Sequence, residues 1–86
     1  MGLDSVELVM AFEDEFELTI PNDVAAMLMS IGDVVSWVTA QRAWLGRPLP
    51  RDEVFDVVCR LTCEQCGTTR DRLTGNTCFV ADLGID

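Results

Sequence analysis

Apolar residues near the start of the chain recur at every fourth position. Leu8, Phe12 and Phe16 follow this spacing and would lie on one face of a helix. Neither glycine nor proline interrupts residues 4–17, which favours one continuous helix over this range. Pro21 ends the pattern, because a residue that precedes proline avoids the helical conformation. The spacing therefore predicts a first helix that ends before a short apolar turn.

Two further helices are indicated before the middle of the chain. Asn22 is suited to cap a short second helix, which would end near Met27. Ser30 and Asp33 have the spacing of a capping box, in which each side chain accepts the backbone N–H of the other residue. This signal predicts the start of a third helix that runs to about Arg42.

A connector and a fourth helix follow. Residues 43–50 contain two prolines and one glycine, which predicts a partly stiff linking segment. Asp52 begins the next helical pattern, and Gly67 is suited to end it because glycine tolerates the left-handed conformation. One face of this helix would carry Phe55, Val58, Leu61, Thr62 and Cys66. Residues 68–86 show little periodicity and are expected to form a long loop.

Composition narrows the function classes. The 86 residues carry six basic side chains, all Arg, against fifteen acidic ones, which gives a net charge of −9. Such a charge repels nucleic acid and anionic membranes and attracts partners with basic surfaces. The sequence lacks His, Lys and Tyr, and therefore the usual general base, the Schiff-base nucleophile and the His ligand of zinc sites. We expect no catalytic residues, no metal site and no enzymatic activity.

The sequence also predicts where the protein resides and what its cysteines do. No apolar run approaches the roughly 20 residues of a membrane span, and the start lacks a signal-peptide pattern, so a cytoplasmic protein with reduced thiols is expected. Cys63 and Cys66 have the spacing of a zinc or redox pair, but no second close pair follows and they would end a helix rather than start one. We expect Cys66 to be buried, and Cys59 and Cys63 to lie on the outer side of the same helix. Trp44 is expected to pin the connector to the bundle.

Two blocks of the chain resemble the acyl carrier proteins. The segment VELVMAFEDEF at residues 6–16, with Ile-Pro at 20–21, resembles the second helix of bacterial fatty-acid carriers and the turn after it. Residues 63–67 and 77–86, which end in Asp-Leu-Gly-Ile-Asp, are similar to the end of the family's first helix and to the loop before its prosthetic-group serine. The predicted helix at residues 30–42 is similar to the family's last helix.

These blocks stand in a different order from the family's, as in a circular permutant. The resemblance implies an all-α fold: a small acyl-carrier-protein-like four-helix bundle of three long helices and one short one, with a long C-terminal loop that closes back on the first helix. The single domain 1–86 would comprise residues 1–42, similar to helices two to four, the connector 43–50, and residues 51–86, similar to helix one and the long loop. Joining through the connector is plausible because permutation is tolerated where chain ends lie close together. A monomer and a domain-swapped dimer both remain open.

The attachment residue has two alternatives. In the family, a serine that follows aspartate at the start of the second helix carries 4'-phosphopantetheine, whose thiol holds acyl groups as thioesters. Asp4-Ser5-Val6 is similar to this Asp-Ser-Leu signature, which makes Ser5 the candidate. An ungapped alignment of the helix instead places Gly2 at the site and Ser5 three residues later, as an N-cap or first-turn serine. In that register the chain would lack an attachment hydroxyl.

The resemblance also assigns a docking surface. In the resembled family the second helix docks partner enzymes. At the corresponding positions of this chain, Glu7, Glu13 and Asp14 would meet basic residues of a partner, while Val6 and Met10 would make apolar contacts. The implied partners are basic-surfaced enzymes of fatty-acid, polyketide or related acyl metabolism, with a phosphopantetheinyl transferase if a serine is modified. One hypothesis is therefore an acyl-carrier-like module. The alternatives are an unmodified interaction or regulatory module with the same fold, and a zinc or redox module built on the CxxC pair.

Overall fold

The computed structural model describes residues 3–79 and 82–83, with side chains from residue 6 onward. Its elements are α1 (Leu3–Phe16), α2 (Asn22–Ala25), α3 (Ile31–Trp44), α4 (Arg51–Cys66) and a 3₁₀ turn (Arg70–Arg72). Within these residues the structure has no strand and only one isolated β-bridge, between Ser30 and Cys78. The predicted all-α fold with three long helices and one short one is confirmed.

Helix α4 is the central element of the bundle, because it packs against both α1 and α3. The shared interior includes the predicted positions Leu8, Phe12 and Phe16, which are buried. The buried apolar residues are Leu8, Phe12, Phe16, Ile20, Ile31, Val34, Val35, Val38, Val54, Val58, Cys59, Leu61, Leu73 and Phe79. Removing such side chains from water is the main favourable contribution to folding, so the last third of the chain is required to complete the core.

The start of α3 follows the predicted capping box. The Ser30 hydroxyl accepts the backbone N–H of Asp33 at 3.2 Å, and the Asp33 carboxylate accepts the backbone N–H of Ser30 at 3.1 Å. The second helix differs from its prediction. Pro21 occupies the N-cap position and Asn22 is already helical, so Asn22 does not cap α2. Proline suits this position because its fixed φ of −60° is compatible with the extended backbone found there.

The long loop after α4 is ordered against the start of α3. The backbone N–H of Ile31 donates to the carbonyl oxygen of Thr77 at 2.9 Å, and that of Gly32 donates to the carbonyl oxygen of Gly75 at 2.8 Å. The Phe79 N–H in turn donates to the Met29 carbonyl oxygen at 2.9 Å. These bonds satisfy two N–H groups that the first turn of a helix otherwise leaves unpaired. The expected closure of the loop on the first helix falls partly on residues 80–81 and 84–86, outside the described part of the chain.

Left-handed residues end α1 and α4. Gly67 ends α4 with a φ of +67°, as predicted. At the end of α1 the left-handed position, with a φ of +53°, is occupied by Glu17 rather than by glycine. The N–H of Leu18 donates to the carbonyl oxygen of Glu13 at 3.2 Å, the bond typical of a Schellman ending. A non-glycine residue pays a conformational cost at this position.

Trp44 does not pin the connector to the bundle, and that prediction is wrong. Helix α3 continues two residues beyond Arg42 and ends at Trp44, whose side chain is 82% exposed. Leu45 caps the helix and Gly46 adopts a φ of +78°, so the chain turns away directly after the tryptophan. Leu49 instead provides the apolar contact between the connector and the core.

Replacing Gly32 with alanine should destabilise the protein. A Cβ atom at this position would lie 2.7 Å from the carbonyl oxygen of Gly75, which is backbone and cannot rotate away. We expect G32A to lower the free energy of unfolding by about 1–2 kcal/mol, since overpacking outweighs the small gain in helix propensity near a helix start. The matched control is G75A, whose Cβ would meet no atom within 4 Å. Equal urea unfolding midpoints for the two variants would contradict this account.

Replacing Glu17 with glycine should stabilise the protein. Glycine removes the steric cost of the left-handed conformation, which is about 1 kcal/mol, while the exposed ion pair lost with Glu17 contributes less. We expect E17G to raise Tm by about 3–6 °C in thermal unfolding followed by circular dichroism. E17A is the control, because it removes the same carboxylate and retains a Cβ atom. A Tm of E17G no higher than that of E17A would refute the steric explanation.

Candidate docking surface and attachment residue

The outer face of α1 combines apolar and acidic side chains. Val6 is 41% exposed and Met10 is 56% exposed, although both are apolar. Glu7 and Asp14 are also exposed and lie three and four residues from Met10, on the same face of the helix. This face exists because the opposite one, with Leu8, is turned into the core. Four of the five predicted docking residues are therefore exposed together.

Glu13, the fifth predicted docking residue, has a structural role. It is half-buried, and its Oε2 accepts the backbone N–H of Ile20 at 2.8 Å. The carboxylate thereby fixes the turn that carries the chain from α1 to Pro21. The sequence contained a partial signal for this contact, because an N–H next to a buried apolar residue needs an acceptor when the helix has already ended. The docking role of Glu13 stays a prediction, with one carboxylate oxygen already occupied.

Two other acidic residues of this region form ion pairs within the chain. Glu15 binds Arg60 of α4, and Glu17 binds Arg47 of the connector at 3.2 Å. By contrast, Glu7 and Asp14 have neither a hydrogen-bond nor an ion-pair partner among the residues that the structure describes. Among the acidic side chains that the structure describes in and directly after α1, Glu15 and Glu17 are paired with arginines, Glu13 holds a backbone N–H, and Glu7 and Asp14 are unpaired.

The candidate attachment residue lies in the first turn of α1. The helix begins at Leu3, so Ser5 is its third residue rather than its cap. The first four backbone N–H groups of a helix have no acceptor within it, and this end carries the positive end of the helix dipole. Such an end favours a covalently held phosphate. The side chains of residues 3–5 and the whole of Gly2 lie outside the described residues, so the choice between Ser5 and Gly2 remains a prediction.

The cysteines are arranged differently from the prediction. Cys59 is completely buried rather than on the outer side of α4, because α4 packs on two helices and its buried surface is correspondingly wide. Burial raises the pKa of the Cys59 thiol above its ordinary value, although the nearby Arg70 guanidinium acts in the opposite direction. Cys66, expected to be buried, is only half-buried and borders a cavity of about 570 Å³ beside the long loop.

The described residues offer neither a metal-binding cluster nor a membrane-spanning helix. Among the described side chains, from residue 6 onward, no three of Cys, Asp or Glu are grouped so that they could hold a metal ion. In the same part of the chain, none of the helices combines the length and the apolar character that crossing a bilayer requires.

Part of the sequence is similar to known proteins. The acyl carrier protein of Caulobacter vibrioides (strain NA1000 / CB15N) is 51% identical over 42 residues, which are 49% of this chain and 54% of that protein. Over about half of its length, this chain is similar to acyl carrier proteins. The acyl carrier protein of Phenylobacterium zucineum is 53% identical over 37 residues, and acyl carrier protein AcpP of Rhizobium meliloti is 49% identical over 42 residues. The predicted resemblance to this family is confirmed over about half of the chain.

The sequence similarity covers only part of each relative. The chain spans about half the length of the acyl carrier proteins that it matches. No family model and no solved structure matches the chain. Acyl carrier proteins are carriers and not catalysts, which agrees with the expectation that this protein is not an enzyme.

The buried thiol should make stability depend on alkaline pH. Because the folded-state pKa of Cys59 is raised, folding favours the protonated thiol. Its contribution is complete below the unfolded-state pKa, about 8.5, and is lost as pH rises through the higher folded-state pKa. We expect the free energy of unfolding to fall as pH rises above about 8.5, and to fall less steeply in C59A, in urea titrations under reducing conditions. Identical pH slopes for the two proteins would show that Cys59 is not responsible.

Proposed function

We propose that this protein is a carrier in acyl metabolism that binds acyl groups as thioesters of a 4'-phosphopantetheine arm. The supporting observation is the relationship to acyl carrier proteins at about 50% identity over half of the chain. An all-helical bundle with an acidic, partly apolar outer helix is consistent with that role. In this role the protein presents a substrate to other enzymes and performs no chemistry on it.

We propose Ser5 rather than Gly2 as the attachment residue, on the basis of a repeated tripeptide. Ser5 directly follows Gly2-Leu3-Asp4, and the long loop contains the nearly identical Gly84-Ile85-Asp86. In the family, the loop that resembles residues 77–86 leads into the modified serine, so the same tripeptide before Ser5 supports this register. The position in the first turn of α1 is also suitable for an attached phosphate.

The attachment reaction would be performed by a phosphopantetheinyl transferase with coenzyme A. The Ser5 oxygen would form a bond to the phosphorus of the pantetheine-bearing phosphate, while the phosphoanhydride bond breaks and 3',5'-ADP leaves. The serine proton is taken up by the transferase. This chain supplies the hydroxyl and the helix N-terminus beside it, and the bound arm supplies the thiol that carries the acyl group.

The proposal includes the permuted order of the domain. Residues 1–42 would correspond to helices two to four of a carrier, residues 43–50 to a joining segment, and residues 51–86 to helix one and its loop. Two observations support this arrangement: α4 packs against both α1 and α3, and the loop after α4 bonds to the start of α3. The two parts of the chain would therefore reconstitute one domain.

We further propose that α1 docks the basic surfaces of partner enzymes. Val6 and Met10 would supply the apolar contact, and the unpaired carboxylates of Glu7 and Asp14 would bind Arg or Lys of the partner. Glu13 would contribute only through the carboxylate oxygen that Ile20 does not use. Such docking weakens as salt screens the charges.

Intact-mass measurement tests the carrier role. After incubation with coenzyme A and a broad-specificity phosphopantetheinyl transferase, we expect the protein to gain the mass of one phosphopantetheine group. S5A should gain none, whereas the matched control S36A, which removes an exposed hydroxyl of α3, should be modified like the wild type. No gain with several transferases would reject the carrier role and favour the unmodified interaction module.

A further inference from the structure

The acidic residues of the α1 region differ in whether a basic partner can reach them. Arg60 extends from α4 to Glu15, and Arg47 extends from the connector to Glu17. Both pairs are partly exposed, with side-chain exposures of 55% and 43% for the first and 54% and 67% for the second. Exposed ion pairs are weak, typically below about 1 kcal/mol, so a partner's cation competes with each arginine on similar terms.

The unpaired acids have a defined geometry. Glu7 and Asp14 are seven residues apart, which is two helical turns or about 10.5 Å along the axis. Met10 lies between them on the same face and is 56% exposed. This arrangement matches a partner surface that presents two cations about 10 Å apart on either side of an apolar side chain.

We propose that Arg47 and Arg60 determine docking specificity by occupying Glu17 and Glu15 within the chain. Among the described side chains, they leave Glu7 and Asp14 as the fully available carboxylates of the docking surface, beside Val6 and Met10. A partner with two suitably spaced cations then binds fully, whereas a partner with a longer basic stripe gains little from its additional charges. This inference rests on the proposed docking function of α1 and adds to it a means of discriminating between basic partners.

The alternative is that these arginines only reduce the net charge of the protein. Their removal would then strengthen binding to every basic partner by the same factor, because long-range attraction depends on total charge. Local competition instead predicts a gain only for partners that reach Glu15 and Glu17. The two explanations therefore predict different selectivity between partners, although both predict tighter binding when the arginines are removed.

Two helical peptides provide the test. The first carries two Arg residues seven positions apart with a Leu between them, and the second extends the same helix by one heptad that carries two further Arg residues. Binding would be measured by fluorescence anisotropy of labelled peptides at low and physiological salt. The protein variants are the wild type, R47Q/R60Q, and the charge-matched control R51Q/R72Q. In the control, Arg51 is bonded to the Ser36 hydroxyl and neither arginine pairs with an acid of α1.

We expect the wild type to bind the two peptides with Kd values within about threefold of each other, since competition with weak internal pairs cancels most of the added attraction. R47Q/R60Q should prefer the four-Arg peptide by about tenfold, the combined effect of two released carboxylates. R51Q/R72Q should strengthen binding to both peptides equally. An equal preference in R47Q/R60Q and R51Q/R72Q would overturn the proposal.

A second pair of variants removes acids. E15Q/E17Q/R47Q/R60Q deletes both internal ion pairs without changing the net charge, so it should bind both peptides as the wild type does, and a loss of binding to the four-Arg peptide in this variant would refute the inference. E7Q/D14N should raise the Kd of both peptides about tenfold. If E7Q/D14N has no effect, the proposed docking function of α1 itself is rejected. Circular dichroism confirms that each variant is folded.

Discussion

The fold depends on how the first turn of α3 satisfies its backbone N–H groups. A helix start leaves four donors without internal acceptors, and here each has one. The carbonyl oxygens of Thr77 and Gly75 accept from Ile31 and Gly32, the Ser30 hydroxyl accepts from Asp33, and the Asp33 carboxylate accepts from the backbone N–H of Ser30. A segment far along the chain therefore completes the cap of a helix near its middle. This requirement fixes the long loop in place and explains why Gly32 has no room for a side chain.

The helix ends and the inner face of α1 were predictable because they depend on local signals. Ser30 with Asp33, the glycine after α4, and the spacing of Leu8 and Phe12 each specify their structure within a few residues. Cys59 and Trp44 were predicted wrongly because their burial depends on packing between distant elements. Periodicity gives the direction of one buried face of a helix but not its width, and α4 buries a wider face than one neighbour would require.

The candidate site was predictable to a similar degree. Exposure of Val6, Glu7, Met10 and Asp14 follows from helical periodicity once the opposite face is assigned to the core. The contact between Glu13 and the Ile20 N–H could not be specified, since it requires the shape of the turn after α1. The pairs formed by Arg47 and Arg60 join residues 30 and 45 positions apart, which no local pattern encodes. Long-range ion pairs thus decide which acids of a charged helix remain accessible.

The central position of α4 has a consequence for biosynthesis. Helices α1 to α3 leave the ribosome first, but the side chains that fill the space between them, such as Val54 and Val58, belong to α4. At about 5–20 residues per second, the growing chain exposes Phe12 and Phe16 for seconds before their packing partners emerge. The high density of acids on α1 keeps such an incomplete chain soluble by mutual repulsion. The order of elements therefore makes folding a late, cooperative event rather than one that proceeds helix by helix.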